Sequence, residues 1–192
     1  MTAAFDTFMH QYQMSGSDKA DGYGKDALAG LTSEEQKEVF NLLLTELPFS
    51  VEWLFFLDAE KALAVAKEYE AKWRCDGDRH VYKLQQHIVQ HTGDWVYQQR
   101  MIEDYPHYVG RLRLLAIDAV HRTPANAATM AFLEQVILTE TDERALARAC
   151  RHLLGDAGLS PNSDNYQRLL NSLRSDSIAT KLAAFTEIHG LT

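Results

Sequence analysis

Asp21–Leu47 reads DGYGKDALAGLTSEEQKEVFNLLLTEL, and its second half decides the fold. Glu35 follows Thr32 by three residues, the spacing at which a hydroxyl and a carboxylate satisfy the open N–H groups of a helix start. Val39, Leu42, Leu43 and Leu47 then recur at helical spacing, which predicts one helix from Ser33 to Leu47 with that face buried. The first half raises a different question, because Gly22, Gly24 and Lys25 stand ahead of this helix as a phosphate-binding loop would. Such a loop needs a glycine five residues before its Gly-Lys pair and a Ser or Thr after it. Lys19 and Asp26 occupy those places, and Asp18, Asp21 and Asp26 would repel a phosphate. The glycines are therefore read as a turn between helices and Lys25 as a surface charge.

The same periodicity extends in both directions. Phe5, Phe8, Met9 and Tyr12 line one face of a helix from about Ala3 to Met14, and a short helical turn is expected around Asp26–Leu31. After Pro48, Ser50 is placed to cap a short apolar helix through Leu57, and Asp58 to cap the next, with Leu63, Ala66 and Tyr69 inward. Asp78 is expected to open a helix whose stripe is Val81, Leu84, Ile88, His91 and Trp95, broken by Gly93. Asp94 then starts a helix to Asp104, and YPHY (105–108) is a corner. The segments VGRLRLLAIDAV and PANAATMAFLEQVIL are apolar around most of their circumference, which places them mid-core. Asp142 and Asp164 are read as caps of later helices, the first with Leu146, Ala149, Cys150, Leu153 and Leu154 inward. No period-2 run bounded by turn residues is seen, and Pro48, Pro106, Pro124 and Pro161 all fall where helical patterns break. The expectation is an all-α chain, one domain over residues 1–192, of about ten helices with short connections. Two architectures fit: an irregular HEAT-like array of antiparallel helix pairs, and a globular helical bundle.

Composition bounds the chemistry. The net charge of −8 disfavours a nucleic-acid binder, since phosphate contacts need clustered Lys and Arg. It suits a basic partner, because complementary fields speed encounter. The acidity is most one-sided between Glu34 and Glu70, with nine acids against Lys37, Lys61 and Lys67. The N-terminal stretch has no basic and apolar pattern of a secretory signal, and the apolar run VEWLFFL is too short to span a bilayer. A soluble, cytoplasmic protein without membrane contact is expected. Cys75 and Cys150 form no C-x-x-C pair; Cys150 lies in an apolar stripe and Cys75 among charges.

Catalytic signatures are weak. His87 and His91 are spaced i, i+4 and share a helical face, which is half of a metal site, but no Glu stands between them in the H-E-x-x-H place. His80 lies about two turns from His87, too far to share one ion. No nucleophile elbow is present. The chain is read as a non-enzyme, with no cofactor, metal or catalytic residue assigned; a metal-dependent enzyme using His87 and His91 is the lesser alternative. For a partner face, Tyr and Trp are favoured interface anchors, and Trp53, Trp73, Trp95, Tyr105 and Tyr108 are available. The partner-binding candidates are Glu60, Glu68, Trp73, Asp76, Asp78, Asp104, Tyr105 and Tyr108.

The opening stretch also resembles the start of a group of bacterial HEAT-like helical proteins associated with immunity to polymorphic toxins. The matching residues are Asp21, Gly22, Tyr23, Ala27, Leu28, Leu31, Thr32, Glu34, Glu35, Leu42, Leu43 and Leu44, about a fifth of the chain; the Asp-Pro-Arg turn usual in such repeats is missing. The resemblance implies an antitoxin that binds a secreted bacterial toxin domain and occludes its active site. A helical scaffold or adaptor joining two proteins is the alternative binding role. The motif positions are structural, so the resemblance assigns no binding residue.

Overall fold

The computed structural model describes residues 1–15, 22–76 and 80–191. Every regular element among them is helical and none is a strand, so the chain is all-α. It divides into two compact units, Met1–His91 and Thr92–Thr192. Among the described residues twelve α-helices are formed rather than about ten. Those of the first unit are α1 (Ala3–Gln13), α2 (Lys25–Ala29), α3 (Ser33–Leu44), α4 (Val51–Leu57), α5 (Ala59–Asp76) and α6 (Val81–Thr92), whose last residue crosses the unit boundary.

The capping box forms as its spacing predicts. The Thr32 hydroxyl accepts the Glu35 N–H at 3.3 Å while the Glu35 carboxylate accepts the Thr32 N–H at 2.9 Å. The same carboxylate also accepts the N–H of Thr2 at 2.7 Å and its hydroxyl at 3.0 Å. Thr2 is the N-cap of α1, so one glutamate fastens the starts of two helices. Thr32→Ala is expected to cost the first unit about 1 kcal/mol, the usual worth of an N-cap, read as a lower denaturation midpoint. Backbone N–H bonds from Thr32 and Thr2 hold the Glu35 carboxyl at about 2, against an ordinary 4.5. A lowered acid favours folding above its unfolded pKa. That contribution is full above about 4.5 and is lost as pH falls toward 2. Glu35→Gln is expected to flatten acid unfolding across this window, measured by circular dichroism.

α3 stops at Leu44, one turn short of the predicted Leu47. Pro48 has no N–H, its ring clashes with a preceding helical carbonyl, and it disfavours helical backbone at Leu47. The chain turns over residues 45–50, with a cis bond between Leu47 and Pro48. Ser50 does not cap α4; its hydroxyl donates back to the Leu43 carbonyl at 2.6 Å and ties the turn to α3. Asp58 does cap α5, accepting the Lys61 N–H at 3.0 Å. α5 buries Ala62, Ala66 and Glu70, while Leu63 and Tyr69 stay half-buried. Small alanines on the inner face fit the close packing of α5 against α4. The buried Glu70 carboxylate accepts a hydrogen bond from the Gln85 side-chain amide at 3.0 Å. The proposed cap Asp78 lies outside the described residues. On α6, Val81, Leu84 and Ile88 are buried as predicted, but His91 is exposed and the stripe ends there. Trp95, beyond Gly93, is 51% exposed. Gly93 has φ +69, a conformation that turns the chain away from the helical phase.

The second unit holds α7 (Trp95–Asp104), a 3-10 turn (Tyr105–His107), α8 (Arg111–His121), α9 (Ala127–Thr139), α10 (Glu143–Asp156), α11 (Asp164–Leu173) and α12 (Ile178–His189). α8 and α9 supply its centre, with Ile117, Val120, Leu133 and Ile137 buried, as their all-round apolar sequence predicts. α10 packs on both; Ala149, Cys150, Leu153 and Leu154 are buried, whereas Leu146 is only half-buried. Burial pushes the Cys150 thiol up to about 11, so it packs as a small hydrophobe. Ser163, not Asp164, caps α11, accepting the Tyr166 N–H. α12 docks on α9 through Lys181, whose ammonium donates to the Ile137 carbonyl at 2.7 Å near the helix end.

Candidate functional site

Each unit carries a cleft with polar groups set among aromatic rings. In the first unit the cleft is about 650 Å³ and is built where α3 ends and α4 begins. The Pro48 turn places Glu46, Phe49 and Trp53 along it, and α6 contributes Lys83. Gly22 and Tyr23 of the opening stretch form its other wall. Gly22 has φ +75, a backbone conformation that favours glycine, and it lies against the Trp53 indole, which a Cβ there would meet at an ordinary contact distance of 3.6 Å. Tyr23 is buried between the Phe8 ring, stacked at 4.9 Å, and the Trp53 edge at 6.2 Å. Its hydroxyl donates to Glu46 at 2.5 Å. Burial and then that carboxylate raise the Tyr23 pKa, so the phenol stays protonated and acts as a donor. Phe49 is 62% exposed at the mouth. The Lys83 ammonium stands 5.0 Å from its ring centre and the His80 ring 5.1 Å away.

The second cleft, about 530 Å³, lies among α7, the 3-10 turn, α8 and α9. Its polar centre is Glu140, whose side chain is 1% exposed. That carboxylate accepts from the Tyr105 hydroxyl at 2.6 Å, from Arg113 Nη1 at 2.7 Å, and from the N–H groups of Thr141 and Asp142 at 2.8 and 2.9 Å. Burial opposes its ionisation, but the Asp142 N–H, the Tyr105 hydroxyl, the Thr141 N–H and Arg113 prevail and hold the carboxyl below the usual range. Arg113 Nε donates to the Tyr108 carbonyl at 2.8 Å, which fixes the corner to α8. Tyr105 packs edge-on against Phe132 at 5.1 Å.

A third cluster joins α8 to α10. Asp118 accepts from Arg148 through both oxygens, at 3.0 and 2.8 Å, and lies 2.8 Å from His152 Nε2. The His152 ring stacks on His121 at 3.8 Å, and His121 is paired with Asp156 at 2.9 Å. Burial lowers the His152 pKa; Asp118 pulls it up, and His121 and Arg148 push it down. This arrangement fastens two helices through charge, and its residue spacing explains it: Arg148 and His152 are one turn apart on the inner edge of α10.

The predicted partner residues fall in both units. Glu60, Glu68 and Asp76 are exposed on α5, and Trp73 is half-buried there, edge-on to Tyr69 at 5.2 Å. Asp78 lies outside the described residues. Asp104 is half-buried at the end of α7, and Tyr105 and Tyr108 are buried in the corner, so their rings serve the second unit's core and cleft wall. His87 and His91 both lie against Phe55, at 6.0 and 5.1 Å between ring centres. Among the described residues no group of three or more His, Cys, Asp or Glu side chains is placed to hold a metal ion. None of the described helices is long and apolar enough to cross a membrane. The sequence reading missed Tyr23, Glu46, Phe49 and Lys83. The usable signal was Pro48, which interrupts an apolar run and turns Phe49 outward. No family model, curated protein or solved structure matches this chain.

Proposed function

We propose that this chain is a binding protein of the immunity kind, which captures a basic, secreted bacterial toxin domain and occludes its active site. The observation that carries the reading is the pairing of charge and exposed aromatic surface in the first unit. Residues 1–91 hold fifteen Asp and Glu against nine Lys and Arg, while residues 92–192 hold twelve against ten. The open cleft with its exposed Phe49 lies in the more acidic unit. Acidic surface steers a basic partner inward, and an aromatic anchor in a cleft supplies contact energy at the centre of an interface. The resemblance of residues 21–44 to HEAT-like immunity proteins supports the toxin as the partner. The test is co-expression with the product of the neighbouring gene. A complex that survives gel filtration, weakens with added salt and rescues growth is expected. Absence of both complex and rescue overturns the reading.

A further inference from the structure

The cleft of the first unit has the composition of a cation receptor. Tyr23, Phe49 and Trp53 line it, and Glu46 places a carboxylate among them. Two of its walls are anchored: Tyr23 is buried against Phe8, and Trp53 packs on the first unit's core. The Tyr23 hydroxyl holds Glu46 in place at 2.5 Å. Phe49 differs, since 62% of it faces water and the turn gives it no core role. Its ring has the Lys83 ammonium over it at 5.0 Å, a cation–π placement that an incoming cation would have to replace. The exposed Phe49 ring beside one carboxylate favours a flat, weakly hydrated cation, which describes guanidinium better than the Lys83 ammonium that it would displace.

We infer that this cleft receives an arginine side chain of the basic partner, the guanidinium stacking on Phe49 in the place of Lys83 and donating to Glu46. The inference rests on the binding role proposed above and names the group recognised. Charge complementarity selects the occupant, because the unit that forms the cleft is the one with the larger acidic excess. A cleft of about 650 Å³ has room for one such side chain and the backbone on either side of it.

The probe is N-acetyl-arginine amide titrated into the full chain, with N-acetyl-citrulline amide as the uncharged isostere, followed by the Trp53 indole N–H resonance. A saturable shift with arginine, at least about tenfold weaker with citrulline, is expected; Phe49→Ala is expected to weaken arginine binding about threefold, in keeping with one exposed cation–π contact. Phe49 is exposed, so this variant should keep the parent melting temperature. No saturable shift, equal shifts from both probes, or unchanged affinity in Phe49→Ala overturns the inference. The toxin complex separates the two readings. If it forms with the same Kd in Phe49→Ala, the arginine site is wrong and the binding role stands; if no complex forms, the role fails and the titration still decides the site.

Discussion

Phe8→Ala is expected to destabilise the Met1–His91 unit by about 4 kcal/mol, the range for removing a fully buried aromatic ring. Phe8 has no exposed surface and stacks on Tyr12 at 5.8 Å and Tyr23 at 4.9 Å. Truncation leaves a ring-sized void under α1 and takes away one of the walls that fix Tyr23. A loss of this size is a large part of the roughly 5–15 kcal/mol that holds a domain together. The unit is therefore expected to unfold at much lower urea than the parent, with α1 loosened first in hydrogen exchange. Phe8→Leu keeps most of the volume and is expected to cost less than half as much. Equal losses in the two variants would show that ring stacking, not volume, sets the effect. A second consequence reaches the cleft: once Tyr23 is free to move, Glu46 loses its fixed donor, so arginine-amide affinity is expected to fall in Phe8→Ala even under conditions where the unit stays folded.

Glu140→Ala is expected to destabilise the Thr92–Thr192 unit by about 3 kcal/mol. Removing one member of a buried ion pair costs about 3–5 kcal/mol because its partner stays behind without compensation. The low end applies, since Arg113 is 27% exposed and can turn toward water. Tyr105 cannot: it is buried, and its hydroxyl would lose its acceptor. The N–H groups of Thr141 and Asp142, which Glu140 satisfies across the link from α9 to α10, would also open. Glu140→Gln retains shape and one acceptor and is expected to cost about 2 kcal/mol, as charged hydrogen bonds exceed neutral ones. Because the Glu140 carboxyl is held below its usual range, its contribution is present at neutral pH and is lost as the solution is made acidic. The difference between parent and Glu140→Gln is therefore expected to shrink on acidification, measured by urea titration at each pH.

The contrast between Glu35 and Glu140 shows what was legible. The local half of Glu35's role, the capping box with Thr32, is written in a three-residue spacing, and it formed. The other half, its grip on Thr2, joins residues 33 apart and has no periodic trace. Glu140 stands 27 residues from Arg113 and 35 from Tyr105; in the sequence it is one acid among many. The Asp118 cluster was hidden for the same reason, lying 30 and 34 residues from Arg148 and His152 in a segment whose apolar pattern pointed only to the core. Ser50 shows the reverse error, a good cap residue in a good place whose hydroxyl accepts no helix N–H and instead donates to the Leu43 carbonyl.

Helical periodicity, proline breaks and cap spacing were enough to make this chain all-α and to select most of its buried faces, because those signals act within one or two turns of backbone. The division into two units, the gathering of Tyr23, Glu46, Phe49, Trp53 and Lys83 around one cleft, and the burial of Tyr105 and Tyr108 were decided only by tertiary packing. Whether an aromatic ring ends in a core or at the mouth of a cleft depends on which distant helices reach it first, and that choice is made by summed burial across the fold rather than by neighbours in the chain.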